Sequence, residues 1–347
     1  ESGSGQLGVS RYVITVKSTK ATVAPDGWVL LQQARAKYQE EHPEKLIGIG
    51  LDRAGSMNGL TPDPMTTGAP DVTKWEAARR GVAAFLQDCE TVQASGTAYV
   101  TAGVNTFRSL AANDFTPVFA GTPYGLVKTG GSYSRTVFES NTAAMTPGGG
   151  TPLADALLDV QATLVAPPYG GLPADETRYL AMLSDGMLTS GAPLASLPDG
   201  SLATTVIFAM GFGTPADVDY GNLADVVAKG RSVPAQQVFH GENAGTIDKF
   251  YANALAAAIG FSPILDPVLE LYAGEHAHLQ LDVTSADDAL LITALGMDFA
   301  DASWNFHVIG PDGVALYGDH TDNAGHAHGA AAHGPRPHVT VNRANGR

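Results

Sequence analysis

The sequence predicts an α/β protein, a doubly wound and mostly parallel sheet, followed by a smaller all-β sandwich domain. Three observations lead there. The strands read at 45–51 and 204–210 carry runs apolar on both faces, Leu46–Leu51 and Val206–Met210, which suit central strands covered by helices. Helical patterns alternate with these runs across 45–262, the order that winds a parallel sheet. After Pro263 the helical patterns stop, and short strands with turn signals between them take over.

The elements follow in order. Residues 11–17 read as a partly alternating strand. Trp28, Leu31, Ala34 and Tyr38 stand at helical spacing, so 27–41 is predicted as a short amphipathic helix ending near Pro43. Together they form an N-terminal segment, 1–44, whose strand can complete the β domain. The α/β domain spans 45–262. Its central strand at 45–51 delivers Asp52. Helix 73–90 carries Trp75, Ala78, Val82, Phe85 and Leu86 on one side, and a strand covers 98–107. Residues 109–145 hold a short strand, a helix and loops. Pro152 suits the first turn of a helix over 152–164. Strands at 177–184 and 204–210, a helix at 223–229, an edge strand at 235–240 and a last helix at 247–259 complete the domain. Asp217 and Asp219, beside Pro215, read as a helix start. The β domain, 263–347, has strands at 268–272, 278–283, 290–295, 304–309, 314–317 and 338–341. A loop rich in His, Gly and Ala runs over 318–338.

Chemistry concentrates where the central strand ends. Asp52-Arg53-Ala54-Gly55-Ser56-Met57 turns sharply after the aspartate. Ligands of open α/β sheets sit just beyond the carboxyl ends of the strands. A carboxylate with nearby hydroxyls suits Mg²⁺, Mn²⁺ or Ca²⁺.

This hexapeptide resembles the metal-ion-dependent adhesion site of the von Willebrand factor A family, whose pattern is Asp-x-Ser-x-Ser. Ala54 stands where the first serine belongs. Gly148-Gly149-Gly150-Thr151-Pro152-Leu153 resembles the family's glycine-threonine loop. Leu180-Ala181-Met182-Leu183-Ser184-Asp185-Gly186 resembles its later strand ending in Asp-Gly. The resemblance covers 45–260 and implies a Rossmann-like fold. It also implies a metal site of Asp52, Ser56, Thr151 and Asp185, weakened by the missing hydroxyl at Ala54, with one position open for a partner protein's carboxylate. The order of an A-type domain and then a β-sandwich resembles calcium-activated chloride-channel regulators and bacterial surface proteins. That implies a secreted or surface location and a role in adhesion.

Composition narrows the classes. Net charge is −15, with no Lys/Arg cluster to offset it, which excludes a phosphate backbone as partner. Cys89 is the single cysteine, so no intrachain disulfide forms; it reads as a half-buried structural thiol. No apolar run reaches the ~18 residues of a membrane-spanning helix. Glu1-Ser2-Gly3-Ser4-Gly5 has the composition of a flexible linker, which suggests a trimmed chain.

Two further chemistries are open to this sequence. Most of the 10 histidines fall late in the chain, and two His-Ala-His steps place His276 with His278 and His326 with His328. On a strand such pairs share a face and could chelate Zn²⁺, Cu²⁺ or Ni²⁺, against a plain reading as a solvated loop. For catalysis, the chain has no His-Glu-x-x-His, no Gly-x-Ser-x-Gly and no phosphate-binding Gly-x-x-x-x-Gly-Lys-Ser/Thr. The sequence offers no candidate catalytic residue. The leading expectation is a cation-dependent protein-binding module. The alternatives are a metal-dependent hydrolase and a scaffold with a decayed metal site.

Overall fold

The computed structural model describes residues 9–18, 25–38, 45–62, 71–94, 100–118, 135–165, 178–233, 237–241, 243–259, 262–265, 268–272, 276–284, 287–295, 304–309, 315–317 and 338–342. The chain divides into two compact units.

Two strands open it, β1 (Val9–Ser18) and β2 (Pro25–Tyr38). The helix expected over 27–41 is not formed. Its helical spacing coexists with the run Trp28-Val29-Leu30-Leu31, which serves a strand equally well. Distant partners decided between them. The backbone of β2 pairs antiparallel with segments around 262–272 and 287–295. Local propensity is a weak preference that such pairing overrides.

The α/β unit begins with β3 (Lys45–Asp52). A 3₁₀ turn over Gly55–Asn58 and the antiparallel pair β4 (Leu60–Thr61) and β5 (Val72–Thr73) follow. Then come α1 (Lys74–Ala94), β6 (Val100–Ser109), β7 (Asn113–Pro117), α2 (Arg135–Ala143) and α3 (Leu153–Val165). After these come β8 (Arg178–Ser184), β9 (Leu202–Phe212), α4 (Tyr220–Ala228), β10 (Gly230–Arg231), β11 (Val238–Gly241) and α5 (Ala244–Ala258). Sheet order is β10-β9-β8-β3-β6-β7, with β11 also paired to β9. Every pairing is parallel except β6 with β7.

Helices cover both faces of this sheet. On one, Leu153, Leu157, Val160 and Leu164 of α3 pack with Leu46, Leu180, Met182 and Ile207, joined by Leu223 and Val226 of α4. Each such buried side chain contributes about 1.5–3 kcal/mol. Gly48 lets α3 approach, because a Cβ there would stand 2.6 Å from Val160 Cγ1. Elsewhere Phe85 of α1 meets Tyr251 of α5 at 5.5 Å between ring centres, and Phe250 meets Tyr251 at 5.0 Å. Cys89 is more deeply placed than the sequence suggested, 1% exposed within α1.

The remaining strands are β12 (Ser262–Leu265), β13 (Val268–Tyr272), β14 (His276–Thr284), β15 (Asp287–Leu295), β16 (Trp304–Ile309), β17 (Ala315–Tyr317) and β18 (His338–Asn342). With β1 and β2 they make the second unit. One sheet runs β14-β1-β16-β17; another runs β12-β2-β15-β18, with β13 also on β2. All these pairings are antiparallel.

Candidate metal centre

Three loops meet at the carboxyl edge of the parallel sheet. The first leaves β3 at Asp52, which is fully buried. Ala54 N–H donates to Asp52 Oδ1 (2.7 Å), and Ser184 Oγ donates to Oδ2 (2.6 Å). The chain then turns through the 3₁₀ segment that carries Ser56, which is exposed.

The second loop, Gly148 to Thr151, is bound to the first by its backbone. Gly55 N–H donates to Gly149 O (2.9 Å), and Gly148 N–H donates to Arg53 O (2.9 Å). Gly149 has φ +80°, a left-handed conformation that side chains resist. Thr151 follows, buried, and Pro152 leads into α3. The third loop leaves β8. Asp185 is buried; its Oδ1 accepts the Met187 N–H (3.1 Å) and its backbone oxygen the Asp219 N–H (3.0 Å). Thr189 joins this loop to the second: Thr151 N–H donates to Thr189 Oγ1 (2.8 Å), and Thr189 N–H donates to Thr151 O (3.3 Å).

The four residues expected as ligands, Asp52, Ser56, Thr151 and Asp185, therefore lie on three loops cross-linked at one sheet edge. The donor set suits a hard cation. Two carboxylates are buried near enough that the charge of Asp185 acts on Asp52. The hydroxyls of Ser56 and Thr151 have no hydrogen-bond partner among the described residues. Ser190 Oγ, beside Gly150, is likewise buried and unpartnered. Buried polar groups are normally paired, so the unpartnered Ser190 Oγ beside Gly150 fits a ligand that takes oxygen, whereas the exposed Ser56 hydroxyl is open to water. Ala54 offers no oxygen. Among the described residues no three His, Cys, Asp or Glu side chains gather as a metal cage, so the set depends on its hydroxyls.

Electrostatics accord with this. Burial pushes the Asp52 carboxyl up to about 7, and Asp185 adds to the effect; the Ser184 and Ala54 hydrogen bonds and the charge of Lys74 oppose it. A buried carboxylate of this kind gains most from a cation.

Several neighbours were not anticipated. Ser184 adjoins the predicted Asp185, and its strand position was the available signal. Arg53 is 5% exposed and donates to Asp114 Oδ2 (2.9 Å), which Arg108 Nε also reaches (2.8 Å). Burial and then the charge of Arg108 lower the Arg53 pKa. Asp114 sits below its ordinary value, held first by the Thr116 hydroxyl. His240, on β11, is placed against Gly213 O (3.1 Å) and edge-on to Tyr220. Asp219 caps α4 by accepting Asn222 N–H (3.0 Å).

Of the histidines named as a second metal site, His276 and His278 lie on β14 opposite Lys17 and Thr15, and His278 is exposed. His326 and His328 fall outside the described residues, as does 318–337 of the expected loop.

No protein-family model matches the chain, and no curated protein matches it. Similar solved structures include a von Willebrand factor type A protein from Catenulispora acidiphila, at 13% identity and TM-score 0.43, covering 81% of this chain and 72% of that one. BatB from Bacteroides thetaiotaomicron is similar at 12% identity and TM-score 0.41, covering 62% of this chain and 98% of that one. Proximal thread matrix protein 1 from the mussel byssus, solved with a zinc-occupied metal-ion-dependent adhesion motif, is similar at 16% identity and TM-score 0.41. That match covers 64% of this chain and about half, 48%, of the mussel protein. No helix among the described residues is long and apolar enough to cross a membrane.

Proposed function

We propose that the chain is a divalent-cation-dependent protein-binding module. Asp52, Ser56, Thr151 and Asp185 hold Mg²⁺, Mn²⁺ or Ca²⁺ at the sheet edge, and a partner protein's acidic side chain completes the coordination. The observation that carries this reading is the pair of unengaged hydroxyls, Ser56 and Thr151, on loops tied to two buried carboxylates. A bound cation supplies an electron-poor centre with a position open to a carboxylate oxygen. The chain's own part is to hold the donors. Ser184 and the Ala54 amide orient Asp52, and the Gly55–Gly149 bond fixes the distance between the first two loops.

The surroundings suit a partner surface. Leu60, Leu110 and Met187 are large, exposed apolar side chains. Each lies on a segment leaving this edge: after the Asp52 loop, after β6 and after Asp185. Exposed apolar groups around a polar centre mark interaction sites.

The test is capture on immobilised chain. Binding of a partner should need Mg²⁺, reverse in EDTA and vanish in Asp185→Ala. Capture that ignores both the chelator and this substitution would refute the reading.

A further inference from the structure

The antiparallel hairpin of β6 and β7 closes one edge of the sheet, and it is tied to all three metal loops. Ser109, the last residue of β6, bridges to Gly150. Its N–H donates to Gly150 O (2.8 Å), and Gly150 N–H donates to Ser109 O (2.7 Å). This holds the second loop one residue before Thr151. Arg108 reaches the approach to the same loop, its guanidinium donating to Thr146 O (3.0 Å).

Successive residues of a strand face opposite sides, and β7 uses both. On the α3 side, Asn113 Nδ2 donates to Asp155 Oδ2 (2.8 Å), and that oxygen also accepts the Ala192 N–H (3.1 Å) of the third loop. On the other side, Asp114 Oδ2 accepts from Arg53 (2.9 Å) and from Arg108 Nε (2.8 Å), while Thr116 Oγ1 donates to its Oδ1 (2.7 Å). Arg53 stands between Asp52 and Ala54, so Asp114 grips the first loop directly. The grip is strong, because guanidinium–carboxylate bonds are charge-assisted and directional. Arg53 is 5% exposed, and stripping a buried charge of its ion-pair partner is strongly unfavourable. Without Asp114 the Arg53 side chain would have to move, and Asp52 is its neighbour in the chain.

We propose that the β6–β7 hairpin is the frame that sets the spacing of the three loops, with Asp114 and Asn113 as positioning residues that make the centre prefer Mg²⁺ to Ca²⁺. The inference rests on the metal-centre reading above. Mg²⁺ demands a near-ideal octahedron of oxygens at about 2.0–2.1 Å, whereas Ca²⁺ accepts a looser set at about 2.3–2.6 Å. Loops fastened to one edge resist spreading for the larger ion; loops cut free from it do not.

The test is calorimetric titration of the full chain with Mg²⁺ and with Ca²⁺, accompanied by thermal unfolding in EDTA. It compares wild type, Asp114→Asn, Asn113→Ala and Thr205→Ala, each also in an Ala54→Ser background. Thr205 is buried near the start of β9 and donates to Gln161 Oε1 (2.7 Å), so its variant lowers stability without touching the hairpin. Asn113 is exposed, so its variant folds even where Asp114→Asn does not. The two hairpin variants should weaken Mg²⁺ binding by about 10-fold or more and Ca²⁺ binding by less than about 3-fold. Thr205→Ala should unfold at lower temperature with the ratio of the two affinities unchanged. An unchanged ratio in the folded hairpin variants, or an equal shift in Thr205→Ala, would overturn the role of the hairpin and leave the metal centre standing. Metal binding by neither the wild type nor Ala54→Ser would overturn the metal centre and this inference with it.

Discussion

Ser184 Oγ donates to Asp52 Oδ2 at 2.6 Å and accepts the Gly186 N–H at 3.1 Å, joining the ends of β8 and β3 through one hydroxyl. Both residues are fully buried. The carboxylate that the metal reading depends on is thus oriented by the strand that delivers the second carboxylate.

Ser184→Ala should strip Asp52 Oδ2 of its donor. A buried acceptor left without a partner costs about 1–3 kcal/mol. Urea denaturation at pH 8 in EDTA should show that loss. Metal binding should weaken too, because Asp52 loses its orientation. Wild-type stability in this variant would mean that the hydrogen bond contributes nothing net.

The pH dependence follows from Asp52. Its folded pKa, raised to about 7 chiefly by burial, lies above the ordinary 3.8. The stability linked to its protonated form is fully present below about pH 4 and lost as pH rises through 7. Between those limits the loss is roughly 4 kcal/mol for the metal-free protein. Other carboxylates titrate as well, so the informative quantity is the difference between wild type and Asp52→Asn. The substituted protein should be the more stable at pH 8 in EDTA, and the gap should close toward pH 4. Mg²⁺ affinity should rise with pH up to about 7 and then level, since the ion binds the ionised carboxylate. A pH-independent difference would sink this account.

Ala54→Ser should restore the oxygen absent from the first loop. Ala54 is buried and its N–H already donates to Asp52, so the loop need not rebuild to present a hydroxyl. Mg²⁺ affinity should rise by about tenfold, equivalent to ~1.4 kcal/mol. Calorimetric titration reads this directly. Unchanged or weaker binding would show that the site does not use that position.

Gly48→Ala tests the packing beneath the site. The added methyl would meet Val160 Cγ1 at 2.6 Å and force α3 outward. Overpacking of this kind costs about 1–3 kcal/mol. Because α3 begins just after Thr151, metal affinity should fall together with thermal stability. A fully stable variant with intact metal binding would show that α3 shifts without disturbing the loop.

Much of the α/β unit was legible because its signals are local. The run 46–51 is apolar on both faces, as a strand covered by helices on both sides is. Asp52, Thr151 and Asp185 could be named because each closes a strand or opens a helix within a short motif. Asp219 could be read as a helix start from its neighbours alone.

What the amino-acid order determined by itself was the succession of strands and helices after residue 45 and the carboxylates and hydroxyls at their ends. Those follow from periodicity and short-range turn chemistry. Tertiary structure alone decided the rest. The segment 25–38 became a strand because partners more than two hundred residues away pair with its backbone. Ser184 became the orienting group for Asp52 because parallel pairing sets β8 beside β3. Asp114 came to hold Arg53 because β6 pairs with both β3 and β7, a contact that no spacing encodes. Each depends on which distant chain segments meet, and the free energy of that meeting outweighs local preference.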